Sequence, residues 1–317
     1  MSAPSEQVVI AGAGVAGLSA AVRLAEAGVP VLVLETRRKL GGRASSFVDP
    51  RTGAEHDNCQ HVALGCCLVY LDFLRRIGEA DSIEWSREQY WFEAGGRESI
   101  VAPNGLPAPF HLSWSLARAR FLNVADMASI GMAGAAVLSA NRHELDHITF
   151  AEFLRPFAPT ARAIRRFWDP VVISACNLPV DRVSASSALH VFQEGFMAHR
   201  DAAAIGVPTK PLSKLVASAQ RVIESAGGRV RFGASVGRVE ADRVTLKNGE
   251  SIGAAAAVCA LPAWRAREVL AGGAWERDAR RVDVQRFEPS AIMGIHLAYD
   301  RPVLRRPHAV LVDAETQ

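Results

Sequence analysis

A chain of 317 residues, 49% hydrophobic and 22% charged, is long enough for one compact domain or two interleaved ones and is not a disordered polymer. Its net charge of +3 is too small to call for nucleic acid, which is not expected as a partner. The five cysteines, Cys59, Cys66, Cys67, Cys176 and Cys259, are odd in number and form no CxxC pair, so neither a metal site nor a redox disulfide is expected, and the compartment reads as reducing and cytoplasmic, with no secretory signal ahead of the first strand.

The run Val8-Val9-Ile10 reads as a buried parallel strand. The helix after it places Leu18, Ala21, Val22 and Ala25 on one face, Gly28 ends it, and residues 31–34 form a second buried strand, which makes a βαβ start. Residues 66–77 have the spacing of an amphipathic helix, with Cys67, Tyr70, Leu71 and Leu74 in step and Gly78 as the stop. Gly95-Gly96 joins two strand-like runs, 90–92 and 98–101. From residue 112 to 195 the signals are mainly helical, broken at Pro156, Pro159, Pro170 and Pro179. Within this stretch residues 124–140 are apolar and rich in Ala and Gly. Asp126 and the short length make them a buried helix rather than a membrane span. Further on, Arg162, Arg165 and Arg166 share one helix face beside Phe167 and Trp168. A solvated face is the simpler reading, and a basic, aromatic-edged surface resting peripherally on the inner face of an anionic membrane is the sharper one. A helix over 212–225 precedes short strands at 229–232, 236–240, 244–247 and 250–252, with Asn248-Gly249 signalling a type I′ hairpin between the last two. Residues 254–259 read as a further buried strand, and 292–298 and 309–312 are strand-like.

The chemistry starts at Gly12-Ala13-Gly14-Val15-Ala16-Gly17, a GxGxxG between a strand and a helix, with Glu35 at the end of the next strand. Gly12 permits the tight turn, Gly14 lets backbone approach a pyrophosphate, and Gly17 lets helix and strand pack closely. The helix N-terminus, with Ala16 in its first turn, offers free N–H groups and partial positive charge to the phosphates. Glu35 can accept bonds from both adenosine ribose hydroxyls and disfavours a 2′-phosphate, which leaves NAD and FAD and argues against NADP. There is no second GxGxxG, so the electron donor is expected to be external.

Leu40-Gly41-Gly42-Arg43-Ala44-Ser45 resembles the second glycine element of the flavoprotein superfamily that contains amine oxidases and phytoene desaturases. That resemblance implies FAD, with Gly41 and Gly42 letting backbone pass close to the cofactor and Arg43 as a cation near the pyrophosphate. Residues 228–236 and Ala260-Leu261-Pro262 resemble the superfamily's second FAD segment, in which the backbone at Val236 would meet adenine. The implied fold class is α/β, a Rossmann-like FAD-binding domain interleaved with a mixed α+β substrate domain. Residues 1–78 and 205–270 would form the first, and 79–204 and 271–317 the second.

A closer likeness lies in Asp57-Asn58-Cys59-Gln60-His61-Val62, Leu71-Asp72-Phe73-Leu74-Arg75-Arg76-Ile77-Gly78, Phe167-Trp168-Asp169-Pro170-Val171-Val172, Asn177-Leu178-Pro179 and Gln193-Glu194-Gly195-Phe196. These blocks resemble the hydroxysqualene dehydroxylases. Cys59 departs from the glycine expected there and Cys67 from a common aromatic, and the family pattern continues beyond Gln317 with a further flavin contact and a last helix. The resemblance implies reductive removal of the hydroxyl of hydroxysqualene to give squalene, an apolar tunnel for the isoprenoid, and reduced FAD as hydride source. Departure of water needs a general acid, for which a carboxyl in an apolar pocket is suited. Asp57, His61, Glu194, His199 and Asp201 are the candidates, with Glu194 and Asp57 first because their blocks show no core or capping role, and His61 next. A carotenoid or phytoene-type desaturase and a flavin- or lipid-binding protein without turnover are the other readings.

Overall fold

The computed structural model describes residues 6–59, 61–270 and 273–312; Gln60 of the Asp57–His61 block lies outside them. The chain divides into two compact units: Met1–His61, Val69–Ile83 and Pro208–Pro289 form the first, and Val62–Leu68, Glu84–Val207 and Ser290–Gln317 the second. These limits differ from the sequence boundaries by a few residues at 79–83 and 205–207 and more widely in two places. Residues 62–68 fall in the second unit because Ala63–Leu64 pairs antiparallel with Gly206 and Ile205. Residues 271–289 fall in the first because the helix Arg280–Arg286 packs on the helix Ala263–Val269.

The first unit is built on four parallel strands. β1 (Val8–Ala11) runs into helix α1 (Val15–Glu26) and then β2 (Val31–Glu35), and the sheet order is Arg229–Phe232, β2, β1, Ala256–Cys259. Successive side chains of β1 point to opposite faces. Ile10 joins Leu18, Val22, Val33, Leu215 and Ile223 under α1 and the helix Leu212–Ser225. Val9 and Ala11 join Leu32, Leu34, Val236, Val244 and Leu246 under an antiparallel meander, Val236–Val239, Arg243–Leu246 and Ser251–Gly253. The sheet is therefore buried on both faces, which is why its strands read as unbroken apolar runs. The meander hairpin is not type I′: Gly249 has φ +89° but Asn248 does not have positive φ. Gly249 N–H donates to Leu246 O at 3.0 Å, and the Asn248 side chain accepts from Glu250 N–H at 3.1 Å, which makes a longer turn with glycine in the left-handed position. The helix after the vicinal cysteines is Leu68–Arg76, so Cys66 and Cys67 lie in the turn before it, and its buried residues are Phe73 and Leu74.

Glu79 of this unit is 6% exposed and takes bonds from Lys210, Ser218 and Ser82. Burial alone would raise its carboxyl, but these three donors outweigh burial and hold it at about 2, against 4.5 for the free side chain. A lowered folded-state value stabilises the fold above the unfolded value, so the network contributes fully above pH 4.5 and is lost as pH falls toward 2. Glu79→Gln is expected to cost roughly 3 kcal/mol at pH 7, on the order of 10 °C in Tm. In melts followed by circular dichroism across pH, the gap to wild type should shrink below pH about 4; a gap independent of pH would show that the charge plays no part.

The second unit has a helical core. Trp168 packs edge-on against Phe150 and Phe192, with ring centroids 5.5 Å (Phe150–Trp168) and 4.9 Å (Trp168–Phe192) apart, and Trp91 stacks on Phe121 at 5.0 Å. The hairpin Gln89–Phe92 and Glu98–Val101 turns at Gly95 and Gly96, both at positive φ, and takes Val310–Leu311 as a parallel third strand. Residues 292–298 form no strand. Ile292, Met293, Ile295 and Leu297 stay exposed, because an extended run becomes a strand only when a partner pairs its backbone. Helix Val124–Ser139 opens with a capping box of Asn123 and Asp126 and buries Ser129, Ala133 and Val137, while Val124, Met132 and Leu138 remain exposed. No helix among the described residues is long and apolar enough to cross a membrane. Pro170 does not break its helix: it lies just after the π-helical turn Ile164–Trp168, inside a run that stays helical through Cys176.

The basic, aromatic-edged face is also corrected. Residues Ile164–Trp168 form a π-helical turn that carries Phe167 and Trp168 into the core, at 9% and 1% exposure. Arg166 is tied to Glu93 and to the carbonyl of Phe121, both at 3.1 Å. These aromatics are not available to a lipid surface.

Candidate functional site

The turn between β1 and α1 is shaped by what its glycines exclude. Gly12 has φ +102°, and its N–H donates to Leu34 O at 2.8 Å. A β-carbon on Gly17 would lie 2.0 Å from the carbonyl oxygen of Gly12, so α1 can leave the turn at this angle only without a side chain there. Gly14 is the opposite case: a β-carbon on it would meet nothing within 4 Å. That residue is the N-cap of α1, extended at φ −70° and ψ 171°, with no side-chain cap and no acidic residue in the first turn. The leading N–H groups of α1 thus face an open space with no anion of the helix's own, which is the arrangement that takes a phosphate. Ala16 is exposed in that first turn.

Glu35, at the end of β2, is buried and points at this turn. Ala13 N–H donates to its Oε2 at 3.0 Å and Arg37 N–H to its Oε1 at 2.8 Å. A carboxylate has about four acceptor positions, so two remain for neighbouring hydroxyls. The second glycine element closes onto the first. Gly41 N–H donates to Ala13 O at 2.9 Å, and a β-carbon on Gly42 would stand 3.1 Å from the Cα of Gly14. Gly41 itself has φ +96°. Arg43 is exposed, its guanidinium 5.7 Å from the ring centroid of Trp264. Trp264 was invisible as a site residue from sequence, since nothing near Ala260-Leu261-Pro262 marks a partner for Arg43. Val236 opens its meander strand with its side chain buried. The donors, the acceptor and the open space fit a ribosyl diphosphate.

The proposed acids are divided between the two units. Asp57 turns out to hold a helix end: its Oδ1 accepts from Leu212 N–H at 2.9 Å and from Ser46 Oγ at 2.6 Å, and Ser46 Oγ accepts from Ser213 N–H at 3.1 Å. The premise that Asp57 has no capping role is therefore corrected, because Pro211 gives the helix Leu212–Ser225 no side-chain cap and Asp57, with Ser46, takes its first N–H groups. His61, also in the first unit, sets Nδ1 2.8 Å from the carbonyl of Cys59 and 3.7 Å from the Cys59 sulfur. Glu194 lies in the second unit on a π-helical turn, Gln193–Met197. Arg142 Nη1 donates to Glu194 Oε1 and to Gln193 Oε1, each at 3.0 Å, and Gln193 Nε2 closes the end of the helix Val124–Ser139 through the carbonyls of Val137 and Ala140. The Glu194 side chain is 45% exposed. It is an oriented ion pair at a surface, not the isolated carboxyl in an apolar pocket expected from sequence. Of the remaining candidates, Asp201 pairs with Arg87 at 2.9 Å, and His199 Nε2 is buried without a partner.

Residues 15–315 match the sequence pattern of the flavin containing amine oxidoreductases. Hydroxysqualene dehydroxylase of Sinorhizobium fredii is 29% identical over 241 residues, 72% of this chain and 53% of that protein. The zeta-carotene desaturase of Solanum lycopersicum is 29% identical over 202 residues, 60% of this chain and 34% of that protein. The chain thus spans about a third to a half of these curated relatives. Among solved structures, cyclohexylamine oxidase from Brevibacterium oxydans superposes with a TM-score of 0.59 at 20% identity, over 89% of this chain and 63% of that one. An oxidoreductase from Methanosarcina mazei gives 0.62 at 17%, over 89% and 66%. Those two structures share the fold, and the pattern matched along nearly the whole sequence decides the assignment: this chain belongs to the flavin containing amine oxidoreductase family.

Proposed function

We propose that the flavin is FAD and that the protein is an isoprenoid oxidoreductase, reductively removing the hydroxyl of hydroxysqualene to give squalene. The observation that carries the cofactor is the Glu35 carboxylate locked against the Gly12–Gly17 turn, with the space at Gly14 open. In this reading the first turn of α1 holds the diphosphate, with Arg43 as an added cation. Glu35 holds the ribose, and Gly41 and Gly42 let the backbone pass close. The strand that begins at Val236 meets the adenine. FAD, when bound in its reduced form, supplies the hydride.

The substrate reading is supported by where the dehydroxylase-like blocks fall. Two of them, Phe167-Trp168 and Gln193-Glu194-Gly195-Phe196, lie on the π-helical turns of the second unit, and π-turns concentrate at functional sites. A third, Asn177-Leu178-Pro179, is pinned by Val180 N–H donating to Asp169 Oδ1 at 2.9 Å, with Asn177 in the left-handed region at φ +57°. Glu194 is held by Arg142 through Oε1, which leaves Oε2 to accept a hydrogen bond from the substrate hydroxyl and orient it. An external reductant regenerates the cofactor.

The zeta-carotene desaturases, which match at equal identity, favour a second reading: oxidation of a carotenoid chain. Product analysis separates the two. Under anaerobic conditions with reduced FAD, hydroxysqualene is expected to give squalene, and Glu194→Gln is expected to lower turnover by about tenfold or more while flavin stays bound. Turnover of zeta-carotene by oxidised enzyme, with hydroxysqualene untouched, would replace the reading by the second. A yellow protein that converts neither would make it a binding protein, and unchanged turnover in Glu194→Gln would remove that residue from the chemistry.

A further inference from the structure

Cys66 and Cys67 form a vicinal thiol pair that the flavin chemistry does not use. The turn carrying them is fixed on both sides: Gly65 N–H donates to Ala204 O at 3.0 Å, Cys66 N–H to Ala202 O at 3.1 Å, and Cys67 N–H to Leu64 O at 2.9 Å. A β-carbon on Gly65 would fall 1.9 Å from the carbonyl oxygen of Asp201, so the turn is pressed against residues 201–204 and cannot drift. Cys67 is exposed and Cys66 half-buried. Beside Cys66 the chain presents Gly195; a β-carbon there would already touch the sulfur at 4.0 Å, so it is the missing side chain that keeps this flank of the thiol clear.

The two thiols do not behave as ordinary cysteines. The hydrogen bond that Cys67 receives from Cys66 holds Cys67 down at about 6, and the same bond, with burial, pushes Cys66 well up. Near neutral pH the pair is a thiolate next to a thiol, which is the reactive form of a dithiol. Burial pushes Cys176 and Cys259 up, toward inertness. Adjacent Cα atoms stand about 3.8 Å apart, closer than the roughly 4.4–6.8 Å of ordinary disulfides, so a direct S–S bond would be strained and a bridging atom would relieve the strain.

We propose that Cys66 and Cys67 form a bidentate site for soft trivalent thiophiles of the organoarsenical class. With phenylarsine oxide, the Cys67 thiolate attacks arsenic and Cys66 follows. Two S–As bonds form and the As–O bond is lost. The oxygen leaves as water with one proton from Cys66 and one from solvent, and no electrons are transferred. This assignment is independent of the flavin reading and of the substrate.

Intact-mass analysis after one equivalent of phenylarsine oxide at pH 7 is expected to show one adduct that survives excess monothiol and is removed by 2,3-dimercaptopropanol. Cys66→Ser and Cys67→Ser should each retain about tenfold less adduct after the monothiol wash, and Cys59→Ser should retain it fully. A measurement needing no variant accompanies it: iodoacetamide on the native protein should alkylate Cys67 about tenfold faster than Cys176 or Cys259. An adduct that persists in both single serine variants, that is lost in Cys59→Ser, or that a monothiol strips from the native protein would overturn the site, as would equal alkylation of Cys67 and the buried cysteines.

Discussion

Gly14→Val should yield a folded, colourless protein, and Gly17→Ala should yield hardly any folded protein at all. The two glycines belong to one motif, and the roles expected from sequence do not say what a side chain at either would cost. The structure does. Space around Gly14 is open and its backbone is extended, a conformation valine adopts freely. The cost to the fold is the poorer N-cap, about 1 kcal/mol, which lowers Tm by about 2–4 °C. The added side chain would occupy the place where a diphosphate must approach the first N–H groups of α1, so flavin affinity should fall by about 100-fold or more. At Gly17 even one methyl group must lie 2.0 Å from a backbone oxygen that cannot rotate away. Either α1 lifts from the sheet, exposing Leu18 and Val22, or the Gly12 turn opens; both cost several kcal/mol. Melting curves and the flavin absorbance of the purified variants decide it. A yellow Gly14→Val, or a Gly17→Ala as stable as wild type, would mean the turn does not work as described.

How far such features can be read in advance depends on how local their causes are. The β1–α1–β2 unit is legible because the unbroken apolar runs, the switch to a helical period and the glycine stops all fall within residues 8–35. Asp57 is the contrary case. Its partner, the N–H of Leu212, lies 155 residues away, and nothing in the local sequence marks a cap. Glu194 likewise meets Arg142 across 52 residues. The Arg162–Trp168 face fails for a different reason. A π-turn adds one residue to the helical repeat, so a wheel drawn at 3.6 residues per turn puts Phe167 and Trp168 on a solvent edge when the real backbone turns them inward. The helix assigned to 66–77 starts two residues late, and that shift separates the two thiols from the helix face and places them in a turn of their own.

Replacing Glu35 by Gln should release flavin and cost the apoprotein one internal hydrogen bond, about half of what Ala costs. Replacing it by Ala should do both kinds of damage more fully. Glu35 accepts from Ala13 N–H and Arg37 N–H inside the protein, and its remaining acceptor positions face the space beside the glycine turn. Gln keeps the shape and one carbonyl oxygen. One internal bond survives at full geometry, but the second position becomes a donor and the negative charge is gone. Two ribose hydroxyls then face one neutral acceptor instead of a carboxylate. The loss of a charged hydrogen bond, about 1.5–3 kcal/mol, weakens flavin binding by roughly 10- to 150-fold. Ala leaves the Ala13 and Arg37 N–H groups without any side-chain acceptor, at about 1–3 kcal/mol for a buried donor, so its apoprotein should also melt several degrees lower. Fluorescence titration with FAD and calorimetry of the flavin-free variants separate the two effects. Full flavin affinity in Glu35→Gln would mean that the carboxylate serves only the turn, with the ribose held elsewhere, because a ligand that uses the charge cannot be indifferent to its removal.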